Sequence, residues 1–360
     1  MSSTAPGPPA PGDTGTVPPA GRRRRDTLRA FARRPWVRGT TTAVVLVLCA
    51  GFLVHSFARD GAATRTAVGL LGPVLPLALV PALAGLWLTA LSWREPLQAL
   101  SVPLSRPSAV RIFAAGQLGK YVPGVMWSIV LQSRLAAASG ITVFHFTAAF
   151  GLYAAVSLGT GGVLGLSALA HHAYGTGAAL VAAALVPVLL LVLPRLLAVS
   201  VRLVKAVPSL ARRLAPVPLT VLRRSVWLCA VSWLVTGVHL WLFAVALGAD
   251  PLRAVLPCVA GFAVATSLSS LVVVVPDGLG VREALLAVSL ASVLPPPEAA
   301  AAAAASRLVL AAADVLAFGY GSLAARTPRP LSVSHAPAGP PAPHVPLPTA
   351  PHHRRKDDTC

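Results

Sequence analysis

Residues 181–194 read VAAALVPVLLLVLP, without one polar side chain. A helix at the surface of a soluble protein carries a polar face at helical spacing, and no rotation of this stretch supplies one. A helix needs about 20 mostly apolar residues to cross the roughly 30 Å hydrocarbon layer of a membrane. Gly177 to Leu197, which contains the quoted stretch, is long enough.

Working outward, Thr40 to Phe57, Ala67 to Trp93, Thr142 to Ala170, Ser225 to Leu247, Leu252 to Val275 and Ala299 to Leu323 have the same character. Gly280 to Leu294 is shorter, and its 15 residues would rise only about 22 Å. Composition agrees. The 360 residues are 55% hydrophobic and 11% charged with a mean hydropathy of +0.73, against about 25% charged in a soluble domain. A large soluble helical protein is excluded, and the expected fold is an all-α polytopic membrane protein.

The formal charge of +19 does not point to nucleic acid, because the basic residues cluster between the apolar stretches. GRRRRDTLRAFARRPWVR (21–38) precedes the first, and the segment from Pro194 to Arg224 carries seven more arginines and lysines. Arg94, Arg106, Arg111, Lys120 and Arg134 lie in another such loop, whereas residues 58–65, 171–177 and 248–253 are poor in charge. Short basic loops stay in the cytoplasm. The alternation fits about eight crossings of the cytoplasmic membrane with both termini inside, provided Gly280 to Leu294 spans. Residues 1–38 read as a disordered basic cytoplasmic tail, 39–325 as the transmembrane domain, and the proline-rich 326–360 as a second disordered cytoplasmic tail.

The stretch GQLGKYVPGVMWSIVLQSR (116–134) interrupts the apolar pattern. Pro123 cannot sit in an unbroken helix, and non-helical backbone at membrane depth is tolerated only where protein or a watery cavity receives it. A re-entrant or interfacial segment near residues 109–131, entering from the cytoplasmic side, is the expected form. It would set Lys120 and Arg134 near headgroup level and Tyr121 and Trp127 in the aromatic belt, with Gly116, Gly119 and Gly124 allowing close backbone approach. VVVVPDGLGVREALL (272–286) is a second interruption, in which a half-helix starting near Leu279 would point its amides at an anion beside Arg282 and Glu283. In SRLVLAAADVLAFGYG (306–321), Arg307 and Asp314 stand two turns apart on one helical face. A charge in lipid costs about 2.5–3.5 kcal/mol on insertion scales. Both therefore face the interior, where Arg282 and Glu283 would complete a neutral four-charge cluster.

Cys49, Cys229 and Cys258 lie singly within apolar stretches, and the paired histidines have no partners at ligand spacing. Neither a metal site nor a cofactor is expected. No Gly-x-x-x-x-Gly-Lys-Ser/Thr phosphate loop occurs.

Taken together, GQLGKYVPGVMWSIVLQSRLAAASGI (116–141) resembles the Gly-Gln-x-x-x-Tyr-x-Pro-Gly block of the lysylphosphatidylglycerol synthase transmembrane family. PDGLGVREALL (276–286) and SRLVLAAAD (306–314) resemble its Pro-x-Gly-x-Gly-x-Arg-Glu block and arginine-containing helix. The resemblance covers about residues 40 to 325. It implies a flippase-like module that handles lipids or lipid-linked precursors, and it carries over Gln117, Tyr121, Pro123, Gly124, Arg134, Gly278, Gly280, Arg282, Glu283 and Arg307 as site residues. Asp277 and Leu279 depart from the commoner Pro-x-Gly-Gly pattern. The soluble aminoacyl-transferase domain of the resembled synthases has no counterpart in the residues after 325, so no enzymatic activity is expected. The expected partners are membrane lipids, an anionic phospholipid or lipid-linked precursor above all, with Arg134, Arg282 and Arg307 guiding the phosphate. Two other functions fit the sequence: a scaffold for an envelope-synthesis protein, or a membrane-embedded glycosyl- or acyltransferase.

Overall fold

The computed structural model describes residues 66, 69–120, 127–206, 208–271 and 280–324. Among them there are helices and no strands. In chain order they are α1 (Leu75–Leu100), α2 (Arg106–Gly119), α3 (Trp127–Ala137), α4 (Val143–Tyr174), α5 (Thr176–Lys205), α6 (Leu219–Ala246), α7 (Pro251–Leu271), α8 (Val281–Leu290) and α9 (Pro296–Ala324). A single helical turn, Pro208–Ala211, lies between α5 and α6.

Six of these, α1 with the turn before it, α4, α5, α6, α7 and α9, are long and apolar enough to cross a membrane. Each coincides with an apolar stretch of the sequence. The first stretch, Thr40 to Phe57, lies outside the described residues, as do both expected tails.

α8 is shorter than its apolar stretch. Its 10 residues rise about 15 Å, half a bilayer core, so it does not cross on its own. The count of eight needed Gly280 to Leu294 to span, and that count is not obtained.

Shared contacts fix the directions of the helices. One core cluster gathers Leu71 before α1, Ala249 after α6, Ala254 at the start of α7, Leu294 after α8 and Ala299 at the start of α9. A second gathers Leu100 and Ala317 from the opposite ends of α1 and α9, with Ala109 of α2, Ile141 of the loop after α3 and Phe146 of α4. This second end carries the basic loops. Since α7 starts, α8 finishes and α9 starts at the first end, α7 and α8 form a hairpin open toward it. Its connection, 272–279, lies outside the described residues. α2 and α3 form the converse hairpin, open toward the basic end. The arm α2 is the buried one, presenting Val110, Ile112 and Phe113 to the core. This places α2, the first arm of the expected re-entrant or interfacial segment, inside the bundle; residues 121–126 lie outside the described residues.

Apolar side chains gain little by leaving lipid tails, so membrane helices hold together by close packing of small residues. At Gly321 of α9 a Cβ would fall 2.7 Å from the Arg111 nitrogen of α2, so only glycine lets these two backbones touch. Gly237 brings α6 equally close to α7, where a Cβ would meet the Val259 Cα at 2.7 Å. The result is a tight interior of α1, α6, α7 and α9. α5 is peripheral, with 11% of its most apolar window buried against 56% for α6 and α7.

Candidate functional site

The two hairpins approach each other inside the bundle. α2 starts from Ser105, whose hydroxyl accepts from the Ser108 amide at 3.3 Å, and Pro107 fits the first turn. It then runs antiparallel to α9. Arg111 lies against Gly321, and nine residues later Lys120 reaches Asp314, Nζ to Oδ2 3.1 Å. Behind it, the Ser128 hydroxyl of α3 donates to the Gly116 carbonyl at 2.7 Å, and Gln132 fills the space a Cβ on Gly116 would take.

α8 begins at Gly280, whose φ of 81° suits glycine. The Glu283 carboxylate folds back to accept from the Gly280 amide at 2.7 Å, and its other oxygen is ion-paired with Arg307. The preceding residue, Arg282, is 4% exposed. Its guanidinium stacks 5.2 Å from the centroid of Phe262 and donates to Ser306 Oγ at 3.2 Å.

Between these ends lies a cavity of about 230 Å³. Gln117 and Lys120 come to it from the first hairpin, Thr266, Ser270 and Arg282 from the second, and Asp314 from α9. Thr89, Ser157, Thr236 and Leu310 complete the wall from α1, α4, α6 and α9, each near the middle of its helix. The cavity is therefore central in depth as well as in plan. Thr266 adds a buried hydroxyl with no partner among the described residues.

A hydrogen-bond chain orients the arginine. His239 is fully buried on α6, and its Nδ1 meets the Thr236 carbonyl, which only accepts, so Nδ1 carries the proton. In the neutral ring Nε2 then accepts, and the partner 2.8 Å away is Ser306. With its own proton given to His239, Ser306 turns a lone pair to Arg282.

Two expectations change here. Asp314 pairs with Lys120, and Arg307 pairs with Glu283; Arg307 and Asp314 share a helix face but take their partners from different hairpins. The cluster therefore has a fifth member, and among the described residues Lys120, Arg282 and Arg307 face two carboxylates. Lys120 serves the cavity instead of standing apart at headgroup level. Arg134 is exposed on α3 and does not line the cavity, so it is separated from Arg282. Gln117 lines the cavity. Tyr121, Pro123, Gly124 and Gly278 lie outside the described residues.

His239, Ser306, Thr266 and Phe262 were not singled out in the sequence. For His239 the signal was present: a single ionisable residue inside an apolar span is itself a pointer. The others are hydroxyls and a ring of kinds that recur throughout these helices.

No curated protein and no solved structure matches the chain. Residues 37–317 match the family described as the lysylphosphatidylglycerol synthase TM region, nearly the extent that the three sequence blocks had implied. The chain belongs to that family and is an integral, multi-pass membrane protein.

Proposed function

We propose that the protein moves a phosphate-bearing lipid or lipid-linked precursor across the cytoplasmic membrane, its headgroup passing through the central cavity while the acyl chains stay in the bilayer. One observation carries this reading. Two hairpins open toward opposite ends of the bundle deliver a lysine and an arginine to the same mid-depth cavity. Charges in that position are costly, and helices broken at mid-membrane are the usual form of a transport site.

Arg282 suits a phosphate, since its planar fork donates two parallel bonds and keeps its charge. Lys120 can exchange Asp314 for the incoming headgroup, so the pair closes the cavity when it is empty and opens a cationic site when it is filled. Glu283 and Arg307 brace the start of α8 without lining the cavity.

The test is the distribution of anionic headgroups between the two leaflets of cells with and without the protein, read with a membrane-impermeant label. Transport predicts an unchanged total with a changed outer share. A changed total at constant distribution would instead indicate a scaffold for a synthase or a transferase.

A further inference from the structure

A second cavity shares no lining residue with the central one. It has about 340 Å³ and lies between α4 and α5 at their basic end, against the loop before α6. The two helices touch where Gly159 meets Leu193, a Cβ there lying 3.0 Å from the leucine methyl. From Leu197 onward the space between them is the cleft. Its walls are apolar, with Gly151, Leu152 and Ala155 on α4 facing Leu197, Val201 and Val204 on α5.

Two features select an occupant. The first is depth. From Leu197 to Lys205 α5 rises about 12 Å, close to the roughly 15 Å of one leaflet of the hydrocarbon layer. The second is charge. Lys205 lines the open end, and Arg213, the chain neighbour of the lining residue Leu214, is held at the start of α4, its guanidinium 5.9 Å from the Phe144 centroid and its carbonyl 3.3 Å from His145 Nε2. Among the described residues, no acidic one lines the cleft.

We propose that this cleft is a resident-lipid site that takes one acyl chain of an anionic phospholipid, with Lys205 and Arg213 on its phosphate. The lipid is not the cargo of the central cavity, and the proposal stands or falls independently of transport.

The test uses the purified full-length protein in neutral detergent, with retained lipid counted by native mass spectrometry against phosphatidylglycerol, phosphatidylcholine and glycerol phosphate. A background of Arg282→Gln removes the contribution of the central cavity. Lys205→Ala is expected to weaken phosphatidylglycerol about fivefold, the effect of one surface cation near an anionic headgroup, and to leave phosphatidylcholine unchanged. Gly151→Leu fills the cleft from a position with nothing within 4 Å of the new Cβ, and should abolish the site without loss of thermal stability. Equal retention of the two lipids would overturn the proposal, because any chain or an apolar segment would then serve. So would unchanged binding in Gly151→Leu, or glycerol phosphate competing as well as the whole lipid.

Discussion

The Lys120 ammonium lies 3.1 Å from the Asp314 carboxylate, joining the end of the first hairpin to the middle of the last long helix. The contact ties two widely separated sequence blocks into one cavity wall. It also separates Asp314 from Arg307, which is occupied by Glu283.

Asp314→Asn should therefore lower stability by about 3 kcal/mol, the low end of the range for one partner lost from a buried pair, because Lys120 keeps 20% of its side chain exposed. A second change, Lys120→Gln, should recover most of that loss, whereas Arg307→Gln should not. Melting temperatures of the three variants in detergent decide it, and rescue by Arg307→Gln would contradict the pairing.

Glu283 serves two partners, Arg307 and the Gly280 amide. Exchanging the charges, Glu283→Arg with Arg307→Glu, restores the ion pair but not the acceptor at the start of α8. The exchanged protein should stay about 1 kcal/mol below wild type, the usual value of a helix cap. Chemical denaturation in detergent measures the difference, and full recovery would show that the Gly280 contact contributes nothing.

Ser306→Ala removes the donor to His239 and the acceptor for Arg282. Leaving a buried ring nitrogen unsatisfied costs about 1–3 kcal/mol. Headgroup movement should fall with stability in Ser306→Ala and return in Ser306→Thr, which keeps the hydroxyl. Equal transport by the two would show that Arg282 needs no such guide.

α9 runs toward the basic end, where Gly321 meets Arg111. From the positive-inside rule we expect Cys360 to be cytoplasmic. A membrane-impermeant thiol reagent should label it only after permeabilisation, with Cys229 and Cys258 silent because they are buried. Labelling in intact cells would reverse the orientation.

The long helices were legible because a membrane span is a local property, set by some twenty consecutive side chains. The end of α2 at Gly119 falls within the stretch 116–134 that breaks the apolar pattern, while Pro123 and Gly124 lie outside the described residues. The length of α8 was not legible, because an apolar stretch of marginal length does not reveal where the chain turns. The partners were hardest. Sharing a helix face put Arg307 and Asp314 together in the sequence, but which hairpin supplies each counter-charge depends on how α2 and α8 pack against α9. Arg134 has the chemistry of a phosphate ligand and sits in a recognisable block, yet its position on α3 turns it outward.

The central claim is that the mid-depth cavity carries a lipid headgroup, and reconstitution tests it most directly. Phosphatidylcholine vesicles carrying a trace of fluorescent phosphatidylglycerol, with an impermeant quencher outside, report headgroup movement between leaflets. Wild type should accelerate it over protein-free vesicles, and Arg282→Gln should slow it about tenfold or more, as expected for one charge-assisted contact, at unchanged melting temperature. A wild-type rate equal to that of empty vesicles, or an Arg282→Gln rate equal to wild type, would contradict the account.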